Sequence, residues 1–185
     1  ILVDTGLGLR DVADPRTRLS RFFLLLVSAD FREQMPGVRQ ISRLGFDPHD
    51  VRDIVLTHLD FDHAGGLDDF PNARVHMLDA ELAYAERQRT WLDRQRFRPQ
   101  QWSTRKHWLT YSPAGESWHG FECVGSLEGL PHDIGKFIFA ATSQENYLAS
   151  AQTLPHRDGA LCFTETDLFG EQAVLCGGAT ELVVK

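Results

Sequence analysis

One stretch constrains this chain more than any other: Thr57-His58-Leu59-Asp60-Phe61-Asp62-His63-Ala64-Gly65-Gly66. Two imidazoles and two carboxylates crowd together directly after Asp53-Ile54-Val55-Leu56-Thr57, which reads as a core strand of β-branched and aliphatic residues. In extended backbone, alternate residues share a side. His58, Asp60 and Asp62 can therefore face one cavity while Leu59 and Phe61 anchor the loop in the core. His63 breaks the alternation, as a turn into a helix would. Gly65 and Gly66 let the backbone pass tightly beside the site. Imidazole nitrogen and carboxylate oxygen together suit Zn²⁺, Fe²⁺ or Mn²⁺. A helix-capping acidic loop with incidental histidines is the plain alternative. It accounts poorly for two histidines and two aspartates in this register, between a strand and a Gly-Gly pair.

The surrounding sequence alternates strand and helix signals, which favours a mixed α/β layer architecture. Ile1-Leu2-Val3 reads as a buried strand running into Asp4-Thr5-Gly6. The chain opens on that strand without a Met, so the expectation is that preceding strands are missing. Phe22 to Val27 is an apolar run that suits a strand or a buried helical turn. Gln34 to Leu44 suits a short helix ending near Gly45. Ala73 to Leu78 reads as a strand. Asp79 to Arg98 reads as one helix, with Asp79 as its N-cap and Pro99 ending it. Further strands are expected at Phe121–Val124, Phe137–Ala141, Ala160–Thr164, Ala173–Cys176 and Glu181–Val184, and a helix at Thr142–Gln152. His49 and His76 are expected in a turn and on a strand surface.

Charge and composition exclude several classes. Acidic residues outnumber basic ones by 26 to 19, for a net charge of −7, so no nucleic-acid partner is expected. No apolar run approaches the ~18 residues of a membrane span. Three cysteines, Cys123, Cys162 and Cys176, are too few and scattered for a disulfide framework and read as reduced thiols of a cytoplasmic protein. Arg87 to Trp108 is the exception to the acidic balance. It holds seven basic residues, one acid (Asp93) and three of the four tryptophans. It reads first as a solvated helix face whose tryptophans pack on the core. A pocket wall that attracts an anionic substrate is the functional alternative.

At the metal-competent stretch the sequence resembles the metallo-β-lactamase fold superfamily. The family hallmark, His-x-His-x-Asp-His after a core strand, is here His58-x-Asp60-x-Asp62-His63. Ile1 to Gly6 is similar to the family's strand ending in Asp-Thr-Gly. Leu44 to Pro48, Leu56 to His58, and Phe70 to Glu81 resemble its surroundings. The resemblance covers residues 1–82, extends to about residue 133 and leaves 134–185 as a divergent tail of one 185-residue domain. It implies an αβ/βα sandwich with a dinuclear site, most like the lactonase and small-ester hydrolase branch. His58 and Asp60 would hold one ion, and Asp62 and His63 the other. Asp62 would orient the attacking water, and Asp4 would support the site without binding metal. The ions would be two Zn²⁺, with Fe or Mn as alternatives, acting on a small-molecule substrate. The resemblance also allows a homodimer.

Two departures bear on function. Asp60 stands where the family has a second histidine, and a carboxylate is harder and favours iron or manganese. The di-iron oxidoreductase branch carries a carboxylate there, which keeps that activity as the alternative. The chain also has no Gly-His and no Gly-Asp dipeptide to match the family's downstream ligands. His132-Asp133 and His156-x-Asp158 are the nearest substitutes. An incomplete or degenerate domain without turnover is the reading outside enzymology.

Overall fold

A computed structural model describes residues 1–26, 28–104, 107–112, 116–118, 121–130, 136–138, 160–166 and 172–178. The chain divides into two compact units, Ile1–Ser112 and Pro113–Lys185. The first unit is built on a four-stranded parallel sheet in chain order. It comprises β1 (Leu2–Val3), α1 (Leu9–Ala13), α2 (Pro15–Arg18), α3 (Arg21–Leu26), α4 (Gly37–Arg43), β2 (Asp53–Val55), α5 (Phe61–Ala64), β3 (Arg74–Leu78), α6 (Asp79–Arg87), α7 (Trp91–Arg96) and β4 (Trp108–Tyr111). The register sets Leu2 beside Ile54, Ile54 beside Val75, and Val75 beside Trp108. Parallel strands need crossover connections. All three crossovers carry helices: α1 to α4 between β1 and β2, the short α5 between β2 and β3, and α6 and α7 between β3 and β4.

The core forms where alternation in the strands meets these helices. Ile54, Val75 and Met77 share one sheet face and are fully buried with Leu59, Leu67 and Phe70. Val38, Ile41 and Leu82 pack against them from the helices. This layer fixes the carboxyl ends of β1 and β2 side by side, and the chemistry-bearing loop leaves from there.

Three helical expectations change in detail. Phe22 to Val27, open between strand and helix, is helical through Leu26. Ser20 Oγ accepts from the Phe22 and Phe23 backbone N–H groups at 3.1 and 3.4 Å, which starts the helix. Only Phe23 of α3 is buried, and Leu25 is 90% exposed. The single helix over Asp79 to Arg98 is two. Gln88 takes φ 40°, closing α6, and Thr90 opens α7 through a reciprocal cap with Asp93. Asp79 is the first helical residue, and Leu78 stands at the N-cap.

Among the described residues, the second unit contains two antiparallel sheets. One joins β5 (Glu116–Trp118), β6 (Phe121–Ser126) and β7 (Lys136–Ile138); the other pairs β8 (Ala160–Thr166) with β9 (Gln172–Gly178). The β8–β9 register sets Cys162 opposite Cys176. The helix expected at 142–152 and the strand at 181–184 lie outside the described residues. Among the described residues, no helix is long and apolar enough to cross a membrane.

Candidate functional site

The loop after β2 is extended only as far as Asp60. There the chain turns into α5, with the N–H groups of His63 and Ala64 both donating to the Asp60 carbonyl at 3.0 Å. Alternation thus holds for His58, Leu59 and Asp60, while Asp62 and His63 are carried by a helical turn. Leu59 is fully buried and Phe61 nearly so, which anchors the loop on both sides of Asp60. Gly65 is required by its surroundings. A Cβ there would run into the Asp11 carboxylate and the carbonyls of Phe61 and Gly6.

Asp4, at the end of β1, organises the two histidines. It adopts φ 51°, a left-handed conformation that costs an L-residue energy and recurs at functional sites. Its Oδ1 accepts from the Thr57 N–H at 2.9 Å, and its Oδ2 accepts from the Thr57 hydroxyl at 2.8 Å. Oδ2 also lies 2.9 Å from His63 Nδ1. A carboxylate only accepts, so His63 Nδ1 carries the hydrogen. Thr57 has one hydroxyl hydrogen and gives it to Asp4. His58 Nδ1, 2.8 Å from Thr57 Oγ1, must therefore donate as well. In both rings the partners place a hydrogen on Nδ1, so the neutral form of each carries its lone pair on Nε2. This is how an outer partner prepares a histidine for a metal.

The Nε2 atoms are turned to the carboxylates. His58 Nε2 lies 3.7 Å from Asp60 Oδ2, and His63 Nε2 lies 3.9 Å from Asp62 Oδ2. The imidazole centroids are 3.9 Å apart. These N···O separations are too long for hydrogen bonds. They fall within the span of about 4.2 Å open to two donors that each bond one ion at about 2.1 Å. The donor chemistry and the spacing of both couples fit a divalent cation. Among the described residues, no three such side chains already converge into a complete cradle. His132, Asp133, His156 and Asp158 lie outside the described residues.

The two carboxylates sit in different fields. Burial raises the pKa of Asp62; the charge of Asp60 adds to that shift, and His63 and His58 oppose it. Asp62 nevertheless keeps 41% of its side chain in solvent. Asp60 is buried and meets Arg96. Nε of Arg96 lies 3.1 Å from both oxygens, and Nη2 lies 3.0 Å from Oδ1. Burial works against the Arg96 charge, but Asp60, with Glu81 and Tyr84, outweighs it and holds the guanidinium pKa above its ordinary value.

With this geometry in place, comparison with known proteins is informative. The family model of the metallo-beta-lactamase superfamily matches residues 1–137. The chain belongs to the metallo-beta-lactamase superfamily. The probable metallo-hydrolase Rv2300c of Mycobacterium tuberculosis is 41% identical over 130 residues, 70% of this chain and 41% of that protein. The N-acyl homoserine lactonase AttM of Agrobacterium fabrum is 48% identical over 48 residues, 26% of this chain and 18% of that protein. An N-acyl homoserine lactonase of Bacillus sp is 33% identical over 92 residues, 50% of this chain and 37% of that protein. The chain thus spans 41% of the length of the mycobacterial relative. The parallel α/β unit agrees with the superfamily fold expected from the metal-competent stretch.

Sequence reasoning missed the contact of Arg96 with the site, although a signal was present. A buried carboxylate needs a cation, and the basic stretch Arg87 to Trp108 had no assigned partner. Its tryptophans divide: Trp102 is buried in the core, Trp108 packs against it, and Trp91 is exposed. His49 is exposed in its turn, as expected. His76 is not on a strand surface. It is fully buried between Asp53 and Tyr111.

Proposed function

We propose that this superfamily member is a metal-dependent hydrolase acting on a lactone, ester or similar carbonyl of a small molecule. His58, Asp60, Asp62 and His63 are the metal-holding residues of that reading. The observation that carries it is the arrangement of the two rings: both Nδ1 atoms are engaged, and both Nε2 atoms lie beside carboxylate oxygens, at 3.7 and 3.9 Å. A divalent ion held by these residues would supply water activation near neutral pH and Lewis acidity toward a carbonyl. Zn²⁺ suits this donor set, and the Asp60 carboxylate keeps iron and manganese as candidates. Asp4 and Thr57 hold the imidazoles in the binding tautomer. Asp62, half in solvent, accepts a hydrogen bond from the attacking water and orients it. Leu59 and Phe61 exclude solvent from behind the loop. Further donors for a second ion would come from residues outside those described, with His132, Asp133, His156 and Asp158 as the named candidates. The relatives called metallo-hydrolase and lactonase support the hydrolase reading. The test is hydrolysis of a chromogenic ester and of a lactone by the full chain, before and after chelation. Loss on chelation, restoration by Zn²⁺ or Mn²⁺ and loss in His63→Ala are expected. Turnover that survives both chelation and His63→Ala would refute the reading. An oxidised-iron absorption band without hydrolysis would favour the di-iron alternative instead.

A further inference from the structure

We propose that Arg96 is a positioning residue of the metal centre: it cancels the charge of Asp60 and turns Asp60 Oδ2 toward His58, so that residues 60 and 96 act as one neutral donor. This inference rests on the metal reading above and concerns how one of its donors is set.

The geometry is asymmetric. The Nε–H of Arg96 is shared between both oxygens of Asp60, at 3.1 Å each, and Nη2 approaches Oδ1 as an ion pair at 3.0 Å. Oδ2 is the oxygen that lies 3.7 Å from His58 Nε2. The guanidinium thus engages both oxygens and places its second nitrogen on the Oδ1 side, away from the histidine. Planar, multi-pronged pairing of this kind is a property of arginine that lysine lacks.

Arg96 is itself held in place. The Thr90 hydroxyl accepts from the Asp93 N–H at 3.0 Å, the Asp93 carboxylate accepts from the Thr90 N–H at 2.8 Å, and the Tyr84 hydroxyl donates to Asp93 at 3.1 Å. These contacts cap the first turn of α7 and tie it to α6. The next residue, Phe97, is buried in the core and forms a backbone bridge with Asp60 itself. The Arg96 guanidinium carbon lies 5.2 Å from the centre of the Phe97 ring. The Glu81 carboxylate accepts from the Leu59 N–H at 3.3 Å and adds to the field on Arg96. Backbone and side chain at position 60 are thus both read by the end of one helix. A pairing that only joined α7 to the loop would use the Phe97 bridge alone and would not require the charged fork.

The consequence is that residues 60 and 96 must change together. Removal of Arg96 alone leaves a buried carboxylate without orientation or counter-charge. Replacement of Asp60 alone by a neutral donor leaves the partly exposed Arg96 cation uncompensated beside the metal. The experiment is a double-variant cycle on the full chain, with Zn²⁺ affinity read by competition against a chromophoric chelator. Metal content is read in parallel by plasma mass spectrometry. Arg96→Met and Asp60→His are each expected to bind at least ~10-fold more weakly than wild type, the scale of losing an outer partner of a metal ligand. The pair Asp60→His/Arg96→Met is expected within about threefold of wild type, where independent effects would multiply to ~100-fold. A double variant no tighter than Asp60→His, or either single variant as tight as wild type, overturns the proposal. Where Asp60→His fails to fold, Arg96→Lys carries the test and must fall between wild type and Arg96→Met; equal affinity for all three overturns it. His63→Ala separates the two claims. Metal that is absent from wild type, or unaffected by His63→Ala, overturns the metal reading and this inference with it. Metal lost in His63→Ala, with the cycle additive, overturns this inference alone.

Discussion

Two histidine–aspartate couples belong to the same parallel α/β unit, and they are built for opposite ends. At the carboxyl ends of the strands, His63 gives its Nδ1 hydrogen to Asp4, and its Nε2 faces Asp62 across 3.9 Å. Lower in the sheet, His76 has both nitrogens within hydrogen-bond distance: Nδ1 is 2.7 Å from the Tyr111 hydroxyl and Nε2 is 3.0 Å from Asp53 Oδ1. Asp53 is in turn held by Arg74 at 2.6 and 2.8 Å. The residue types are the same, and the lone pair distinguishes them. In the lower cluster Asp53 takes one nitrogen's hydrogen and the Tyr111 O–H fills the other's lone pair, so the imidazole is locked as part of the structure. In the upper one Nδ1 is bonded to Asp4, and Nε2 lies 3.9 Å from the Asp62 carboxylate, a spacing that one ion would bridge. A histidine whose Nδ1 is bonded to a carboxylate and whose Nε2 lies a metal's width from a second one on the same loop is a candidate ligand. A histidine closed on both sides is a structural bond.

The sharpest way to break this comparison is to truncate each histidine. His76→Ala removes a fully buried ring together with its bonds to Asp53 and the Tyr111 hydroxyl, so a loss of about 3 kcal/mol of stability is expected by denaturant titration. His63→Ala, on a half-buried ring, should cost about 1 kcal/mol or less. Equal losses would erase the distinction. Next in size is Asp4→Asn, which removes the carboxylate that fixes the His63 tautomer. Its metal affinity should fall roughly 10- to 100-fold while its far-UV spectrum is unchanged; an unchanged affinity would show that Asp4 shapes only the turn. Tyr111→Phe leaves His76 Nδ1 without its O–H partner and should cost about 1–2 kcal/mol with no change in metal affinity.

The smallest effect concerns the helix that delivers Arg96. Burial alone would raise the Asp93 pKa, but the Thr90 N–H and hydroxyl and the Tyr84 hydroxyl outweigh it and hold the carboxyl below its ordinary value. The ionised form is thus favoured in the folded chain. Its contribution to stability is complete above the unfolded value of about 3.9 and is lost as pH falls through the lowered folded value. The thermal midpoint of wild type should therefore drop more steeply below about pH 4 than that of Asp93→Asn. Parallel pH profiles for the two would remove the cap from the account.

The site loop was legible because its signal is local. Ligand-type residues, buried anchors and glycines follow one another within one loop, and each answers to a contact: Leu59 and Phe61 to the core, Gly65 to the Asp11 carboxylate. The parallel strands were legible for the same reason, since Ile54 and Val75 declare burial by type. Contacts between distant residues were not legible. Nothing near Asp60 announces Arg96, because the pairing depends on where α7 ends in space. His76 reads as a surface residue until Asp53 and Tyr111 are brought beside it by the register of three strands. The break at Gln88 was hidden because Gln is a good helix former, and the Thr90–Asp93 cap that restarts the chain outweighs that propensity.

The central claim is that His58, Asp60, Asp62 and His63 form a cation centre, and metal content per chain tests it most directly. Purified full chain, reconstituted with Zn²⁺ and freed of excess, would be measured by plasma mass spectrometry beside His63→Ala and His76→Ala. The account predicts at least about one ion per chain in wild type and in folded His76→Ala, and loss of that ion in His63→Ala. A wild type without metal, or an ion retained by His63→Ala, would contradict it.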